Sequence, residues 1–264
     1  MLHDKFFSEL REALRRPGRA VEFAILCAHE IKSWSIHTET PPASPLHVTS
    51  NTVFLVSSTI RPSANRLSYG NSRSVFTPAE RLDQTFATID SIRRHAPPCQ
   101  IVLLENSSIT DSEDRQLSVC CDAVLRFDSD PAARHLRDSP FKGAGEAYML
   151  LAAFERLAGA AHGRCFKISG RYRLRESFDP SSYSDKLMGF SVGPGPCFST
   201  RLFCVPSAST LLFAGALRQA LPRTMAGMSI EKALYIGLPR AAVQAQAVLG
   251  VEGETAVSAD RIIE

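Results

Sequence analysis

Phe166-Lys167-Ile168-Ser169-Gly170-Arg171-Tyr172-Arg173-Leu174 reads as a buried strand that runs into a glycine and a cluster of cations. Phe166 and Ile168 alternate with Lys167 and Ser169 at the period of a strand, and Gly170 permits a sharp change of backbone direction. An open α/β sheet gathers its ligand outside the carboxyl ends of its strands. Lys167, Arg171, Arg173 and Arg175 would then converge near one edge, where a diphosphate is a fitting guest.

Working outward, the flanking pattern alternates strands with helices. Residues 51–58 read as a buried strand that ends in a small polar loop. Thr77-Pro78-Ala79-Glu80 supplies an N-cap, a proline in the first turn and a capping-box glutamate for a helix carrying Leu82, Phe86, Ile89 and Ile92. Pro97-Pro98 stops it. Strands follow at 100–105 and 123–127 with a short helix at 114–120 between them, and a longer helix at 145–157 leads to the strand quoted above. Strands joined by helices at these intervals predict an α/β fold with a mostly parallel sheet flanked by helices and right-handed crossovers. Beyond residue 180 the pattern predicts strands at 186–192 and 198–205 and helices near 208–220 and 229–236. Residues 243–249 fit either helix or strand.

Residues 3–34 carry two helical patterns broken at Arg16-Pro17-Gly18, followed by a proline-rich linker at 38–45. An N-terminal helical extension with its linker is thus expected over 1–46, ahead of the main domain at 47–264. Its helices fit either a hairpin packed on that domain or a peripheral membrane contact, the second suited by Arg11, Arg15 and Arg16 beside the apolar face.

The composition narrows the function classes. The chain has 264 residues, of which 44% are hydrophobic, enough for a sizeable core. A net charge of +3 is too mild for a dedicated nucleic-acid binder, and no aromatic-interleaved basic stripe is present, so no nucleic-acid partner is expected. An anionic small substrate fits better. Seven cysteines without a C-x-x-C pair and seven scattered histidines point to a reducing, cytoplasmic setting without a zinc site. The first apolar run is interrupted by charges, so neither a signal peptide nor a spanning helix is expected. The protein would be cytoplasmic, or held at the inner face of the membrane if the N-terminal helices bind there.

The candidate ligand residues are the polar groups at the expected strand ends. They are Ser57, Ser58 and Thr59 after the first strand, Glu105 and Asn106 after the second, Asp128 and Asp130 after the third, and Lys167, Ser169, Gly170 and Arg171 at the fourth. Hydroxyls and carboxylates suit a base and ribose, and the cations suit phosphates. In Lys142-Gly143-Ala144-Gly145-Glu146 the glycines fit either close packing at a helix start or the approach of backbone N–H groups to an anion, with Glu146 reaching a sugar hydroxyl. The full dinucleotide fingerprint is absent. Asp128-Ser129-Asp130 fits either a turn before Pro131 or a divalent-cation site. P-loop, G-x-S-x-G, H-E-x-x-H and kinase signatures are all missing.

Taken together, Val53-Phe54-Leu55-Val56, Phe76-Thr77-Pro78-Ala79-Glu80-Arg81, Leu104-Glu105-Asn106-Ser107, the segment from Phe141 to Ala147, that from Phe166 to Tyr172, and Ser199-Thr200-Arg201-Leu202-Phe203 resemble bacterial glycosyltransferase-like proteins with the GT-A nucleotide-sugar fold, associated with lipopolysaccharide or capsule synthesis. The resemblance covers residues 52–260. It implies a GT-A-like fold, a nucleotide-sugar donor and a glycan or lipid-linked acceptor. It equally allows a non-catalytic nucleotide-sugar or glycan-binding module on that fold. A nucleotidyltransferase that makes the activated sugar would need a phosphate loop rich in glycine and basic residues after the first strand, which is missing here.

GT-A enzymes usually hold their metal on a D-x-D where this chain has Ser169-Gly170-Arg171. That departure implies that no cofactor is required, the alternative being Mg²⁺ or Mn²⁺ on Asp128 and Asp130. Lys167, Arg171 and Arg201 would neutralise the leaving diphosphate. The base that takes the acceptor proton would be Glu231, with Glu146 second.

Overall fold

The computed structural model describes residues 45–68, 70 and 72–264. The expected helices of the N-terminal extension lie outside the described residues, so their packing or membrane contact stays an expectation.

Two sheets form. The large one contains β1 (Thr52–Ser58), β2 (Gln100–Glu105), β3 (Ala123–Arg126), β4 (Arg164–Ser169), β6 (Met188–Val192), β7 (Phe198–Pro206) and β8 (Val243–Ala245), in the order β3-β2-β1-β4-β7-β6-β8. β1, β2, β3 and β4 run parallel, whereas β7 is antiparallel to both β4 and β6. A mostly parallel sheet flanked by helices is therefore present as expected. A small antiparallel sheet of β5 (Tyr172–Leu174), β9 (Val251–Glu254) and β10 (Arg261–Ile263) was not foreseen.

Burial on both faces explains the unbroken apolar runs of the central strands. Val53 and Leu55 of β1 face a core formed with α4 (Lys142–Leu157), α5 (Thr210–Met225) and α6 (Ile230–Gly237). Phe54 and Val56 point the other way, toward α1 (Pro78–His95) and α2 (Asp111–Cys120). Phe54 stacks on Phe166 of the neighbouring β4 with ring centroids 5.0 Å apart. Each such fully buried side chain contributes roughly 1.5–3 kcal/mol.

The capping signals set several helix ends. Thr77 and Glu80 form the expected capping box at α1, with Pro78 in the first turn. An equivalent box on Thr110 and Glu113 starts α2 at Asp111, three residues earlier than the apolar pattern predicted. A further helix, α3 (Pro131–Asp138), not read from the sequence, follows directly on Asp128-Ser129-Asp130, the segment read as a turn or a metal site. Asp130 caps it by accepting from the backbone N–H groups of Ala132 at 2.8 Å and Ala133 at 3.3 Å. Asp128 and Ser129 form the turn, closed by the Asp130 N–H donating to the Phe127 carbonyl at 3.1 Å, and Asp130-Pro131 then starts the helix. α4 likewise begins at Lys142, so Gly143 and Gly145 lie within its first turn.

Candidate active site

Strand register brings the polar strand ends to one edge. Ser57 lies opposite Ser169 across the β1–β4 pair, and Ser58 opposite Glu105 across β1–β2. Above this edge opens a cleft enclosing about 700 Å³ of space continuous with solvent. Ser57, Ser58 and Thr59 line it, as do Lys142 and Glu146 from α4 and Ser169 and Arg171 from the end of β4. Those sequence-predicted residues are thus brought together.

Gly170 makes the turn between β4 and Arg171 possible by close packing. Its N–H donates to the Ser57 carbonyl at 2.8 Å. A Cβ there would sit 3.2 Å from Thr85 Oγ1 and 3.3 Å from that carbonyl. Gly143 has a similar structural use, since a Cβ would come within 3.1 Å of the Ile230 backbone nitrogen at the start of α6. Of the two uses open to it, packing at the helix start is the one its surroundings show, and Gly143 is not part of the cleft lining.

Three other expectations are corrected. Lys167 is fully buried and does not line the cleft. Its ammonium donates to Glu146 Oε1, to Ser169 Oγ at 2.8 Å and to the Thr200 carbonyl at 2.6 Å, so it braces the site from beneath. Arg201 forms an ion pair with Glu264 and donates from Nε to the Tyr172 hydroxyl at 3.2 Å, away from the cleft lining. Glu105 is fully buried, and its Oε1 accepts from Ile60 N at 3.1 Å, Ser107 N at 2.8 Å and the Ser107 hydroxyl. It ties down two loops instead of meeting ligand. Desolvation pushes its carboxyl above the ordinary range despite the bonds from Ser107, Ser58 and Ile60. Glu231, the expected base, stands outside the lining, with its carboxylate accepting from Thr200 Oγ1 at 3.0 Å.

The residues do not fit a metal ion. Ser169, Gly170 and Arg171 at the end of β4 present no carboxylate. Asp128 is engaged by Arg126 at 2.6 Å, and Asp130 caps α3 while accepting from the Tyr148 hydroxyl at 2.5 Å. Among the described residues no cluster of three or more His, Cys, Asp or Glu side chains could hold a metal.

The cleft supplies cations instead. Arg81 on α1, Lys142 and Arg171 all line it, and among the described residues none pairs with a carboxylate. Arg171 Nε is buried without a hydrogen-bond partner. Burial, and then repulsion from Arg171, lowers the Lys142 ammonium to about 8 and the Arg81 guanidinium to about 10. For Glu146, burial pushes upward, but the charge and hydrogen bond of Lys167, aided by Arg171 and Lys142, leave it below the usual carboxylate range. Its negative charge is already matched from beneath by Lys167, so the three cations are left to an incoming anion.

Arg73 and Arg137 complete the lining in more structural roles. Arg73 holds the Asn65 and Asp138 carbonyls at 2.8 and 3.1 Å, and Arg137 pairs with Asp138 at 2.9 Å. Sequence reasoning missed Arg81 as a site residue. The available signal was its phase: it precedes Thr85, Thr88, Ile89 and Ile92 on the buried side of α1, where an arginine would otherwise be out of place. Asn106, also in the cleft, has an Oδ1 that is buried without a partner.

The depressed Lys142 gives a prediction with a definite sign. An anion that binds beside it restores the charged form, so binding takes up a proton above pH 8 but not below. Affinity for inorganic pyrophosphate is expected to be flat below the Lys142 value of about 8 and to fall as pH rises beyond it. Lys142→Arg should remove that fall while keeping the affinity, as measured by calorimetry across pH.

No protein-family model matches the chain, and no curated protein matches it by sequence. Solved structures do. A galactosyltransferase, LgtC, in complex with donor and acceptor sugar analogs is 10% identical, with a TM-score of 0.43 over 74% of this chain and 72% of that one. Core-mannan synthase A from Aspergillus fumigatus, in an Mn/GDP form, is 9% identical, with a TM-score of 0.47 over 77% and 74%. A nucleoside-diphosphate-sugar pyrophosphorylase from Vibrio cholerae is 10% identical, with a TM-score of 0.40 over 75% and 93%. These likenesses are loose and span more than one reaction, so the chemistry of the cleft has to carry the functional reading.

Proposed function

We propose that this protein is a glycosyltransferase that moves a sugar from a nucleotide-activated donor to a glycan or lipid-linked acceptor. The observation that supports it is the trio Arg81, Lys142 and Arg171, with no carboxylate ion pair among the described residues, at the carboxyl edge of β1 and β4. When the bond between the sugar carbon and the diphosphate oxygen breaks, the electron pair stays on that oxygen and the diphosphate gains negative charge. Fixed cations around it stabilise that change more than the ground state. Glu146, ionised and held by Lys167, offers its second oxygen to a donor-sugar hydroxyl.

The acceptor oxygen forms the new bond to the sugar carbon and passes its proton to a base. Glu231, at the start of α6, is the proposed base. It lies close enough to Lys142 for their charges to interact, and Thr200 fixes its other side. Glu231→Gln is expected to lower kcat about a hundredfold or more with donor affinity little changed, as measured by transfer of labelled nucleotide sugars. A loss of donor affinity with unchanged kcat would remove Glu231 from this role.

Because the carboxylates present fit no metal, turnover is expected to persist in EDTA at the rate seen with added Mn²⁺. Loss of activity on chelation, restored by Mn²⁺ and abolished by Asp128→Asn, would overturn the cation-only reading. The acceptor class and a place in surface-polysaccharide synthesis rest on the sequence resemblance alone. The position of Glu231 off the cleft lining favours a second reading, a nucleotide-sugar-binding module without turnover. Donor binding without transfer across a broad acceptor panel would select it.

A further inference from the structure

The Arg171 side chain has no hydrogen bond or ion pair among the described residues, yet the reading above makes it one of the three cations that meet the diphosphate. Something else must fix its direction. Its guanidinium carbon lies 5.9 Å from the centroid of the adjacent Tyr172 ring, within the reach of a cation–π contact. Tyr172 is held at its backbone and at its hydroxyl. Its backbone pairs with Gly253 of β9, and any side chain at Gly253 would collide with the Arg171 carbonyl and the Tyr172 ring. Its hydroxyl accepts from Arg201 Nε at 3.2 Å. Arg201 in turn is paired with Glu264, whose other oxygen accepts from Ser199 Oγ at 3.3 Å.

Glu264 follows β10 directly, and its backbone exchanges both hydrogen bonds with Val251 of β9, at 2.8 and 2.9 Å. The small sheet and the arginine first expected at the phosphate therefore meet on one aromatic ring next to the cleft. Tyr172 is only 3% exposed, too enclosed to serve as a ligand group itself.

We propose that Tyr172 is a positioning residue for Arg171, fixed through its hydroxyl by the Arg201–Glu264 pair, so that the small sheet preorients the phosphate-binding guanidinium. The inference rests on the reading of the cleft as a diphosphate site. Preorientation matters because an arginine otherwise loses much rotamer freedom on binding, and a stacked, planar guanidinium has already lost it.

The test is a double-mutant cycle read by calorimetric binding of inorganic pyrophosphate, which needs no nucleobase. Arg171→Ala should abolish most of the binding. Tyr172→Phe keeps the ring and removes the hydroxyl. It is expected to weaken pyrophosphate about fivefold, and Glu264→Gln about threefold, with unfolding midpoints near that of the parent. In the Arg171→Ala background neither change should have any further effect, a coupling that a merely structural role would not produce. If Arg171→Ala leaves pyrophosphate binding intact, the diphosphate reading itself fails. If Arg171→Ala abolishes binding but Tyr172→Phe and Glu264→Gln leave it unchanged, or weaken the residual binding equally without Arg171, the positioning role is overturned.

Discussion

Arg171→Ala is expected to lower kcat/KM for transfer about a thousandfold, with most of the loss in kcat and thermal stability nearly unchanged. Removing one preorganised donor at developing charge costs on the order of 10²–10³ in rate. Arg171 stands at the upper end because it lines the cleft at the end of β4 with no carboxylate partner among the described residues. It is also the largest repulsive influence on both Lys142 and Arg81. Its loss therefore relaxes its neighbours' depressed values as well as removing a charge. Arg171→Lys should restore part of the rate, since it returns the charge without the planar fork. Steady-state kinetics with a labelled donor decides the matter, and a loss confined to KM would mean that Arg171 binds donor and transition state equally.

Lys167→Met should produce the largest loss of stability of any single change at the site, about 3–5 kcal/mol by urea unfolding. Lys167 is 0% exposed and Glu146 only 26%. Removing the ammonium leaves the Glu146 carboxylate without its counter-charge and the Thr200 carbonyl and Ser169 hydroxyl without their donor. Replacing both charges, with Lys167→Met and Glu146→Leu together, should recover much of the stability but not the activity. The pH dependence follows from the direction of the Glu146 shift. A carboxyl held below its ordinary value of 4.5 stabilises the fold above that pH, and the contribution is lost as pH falls through the folded value. A Lys167→Met protein within 1 kcal/mol of the parent would show that the pair contributes little.

Much of the layered order was legible in the sequence. The alternation in Phe54, Val56, Phe166 and Ile168, the capping box at Thr77 and the glycine after Ser169 each have one physical meaning, and the structure uses them in that sense. Short elements were less legible. α3 was hidden because Asp130-Pro131 serves equally as a turn or a helix start, and only the backbone N–H groups of Ala132 and Ala133 choose between them. The antiparallel course of β7 was hidden because a strand buried on both faces reads the same in either direction.

At the site, the chain order alone determined which strand ends carry polar residues, and so placed Ser57, Ser58, Ser169 and Arg171 at one edge. It could not determine which cations face the cleft. Lys167 and Arg171 are four positions apart in the same basic run, yet one is sealed against Glu146 and the other has no carboxylate partner among the described residues. That division follows from geometry. Within β4 the Lys167 side chain points into the α4 side of the sheet, where desolvation demands a buried partner. Past Gly170 the chain leaves the sheet and Arg171 emerges beside Arg81 and Lys142. Long-range packing decides where a charge can find a counter-charge, and a charge left without one is available to a ligand.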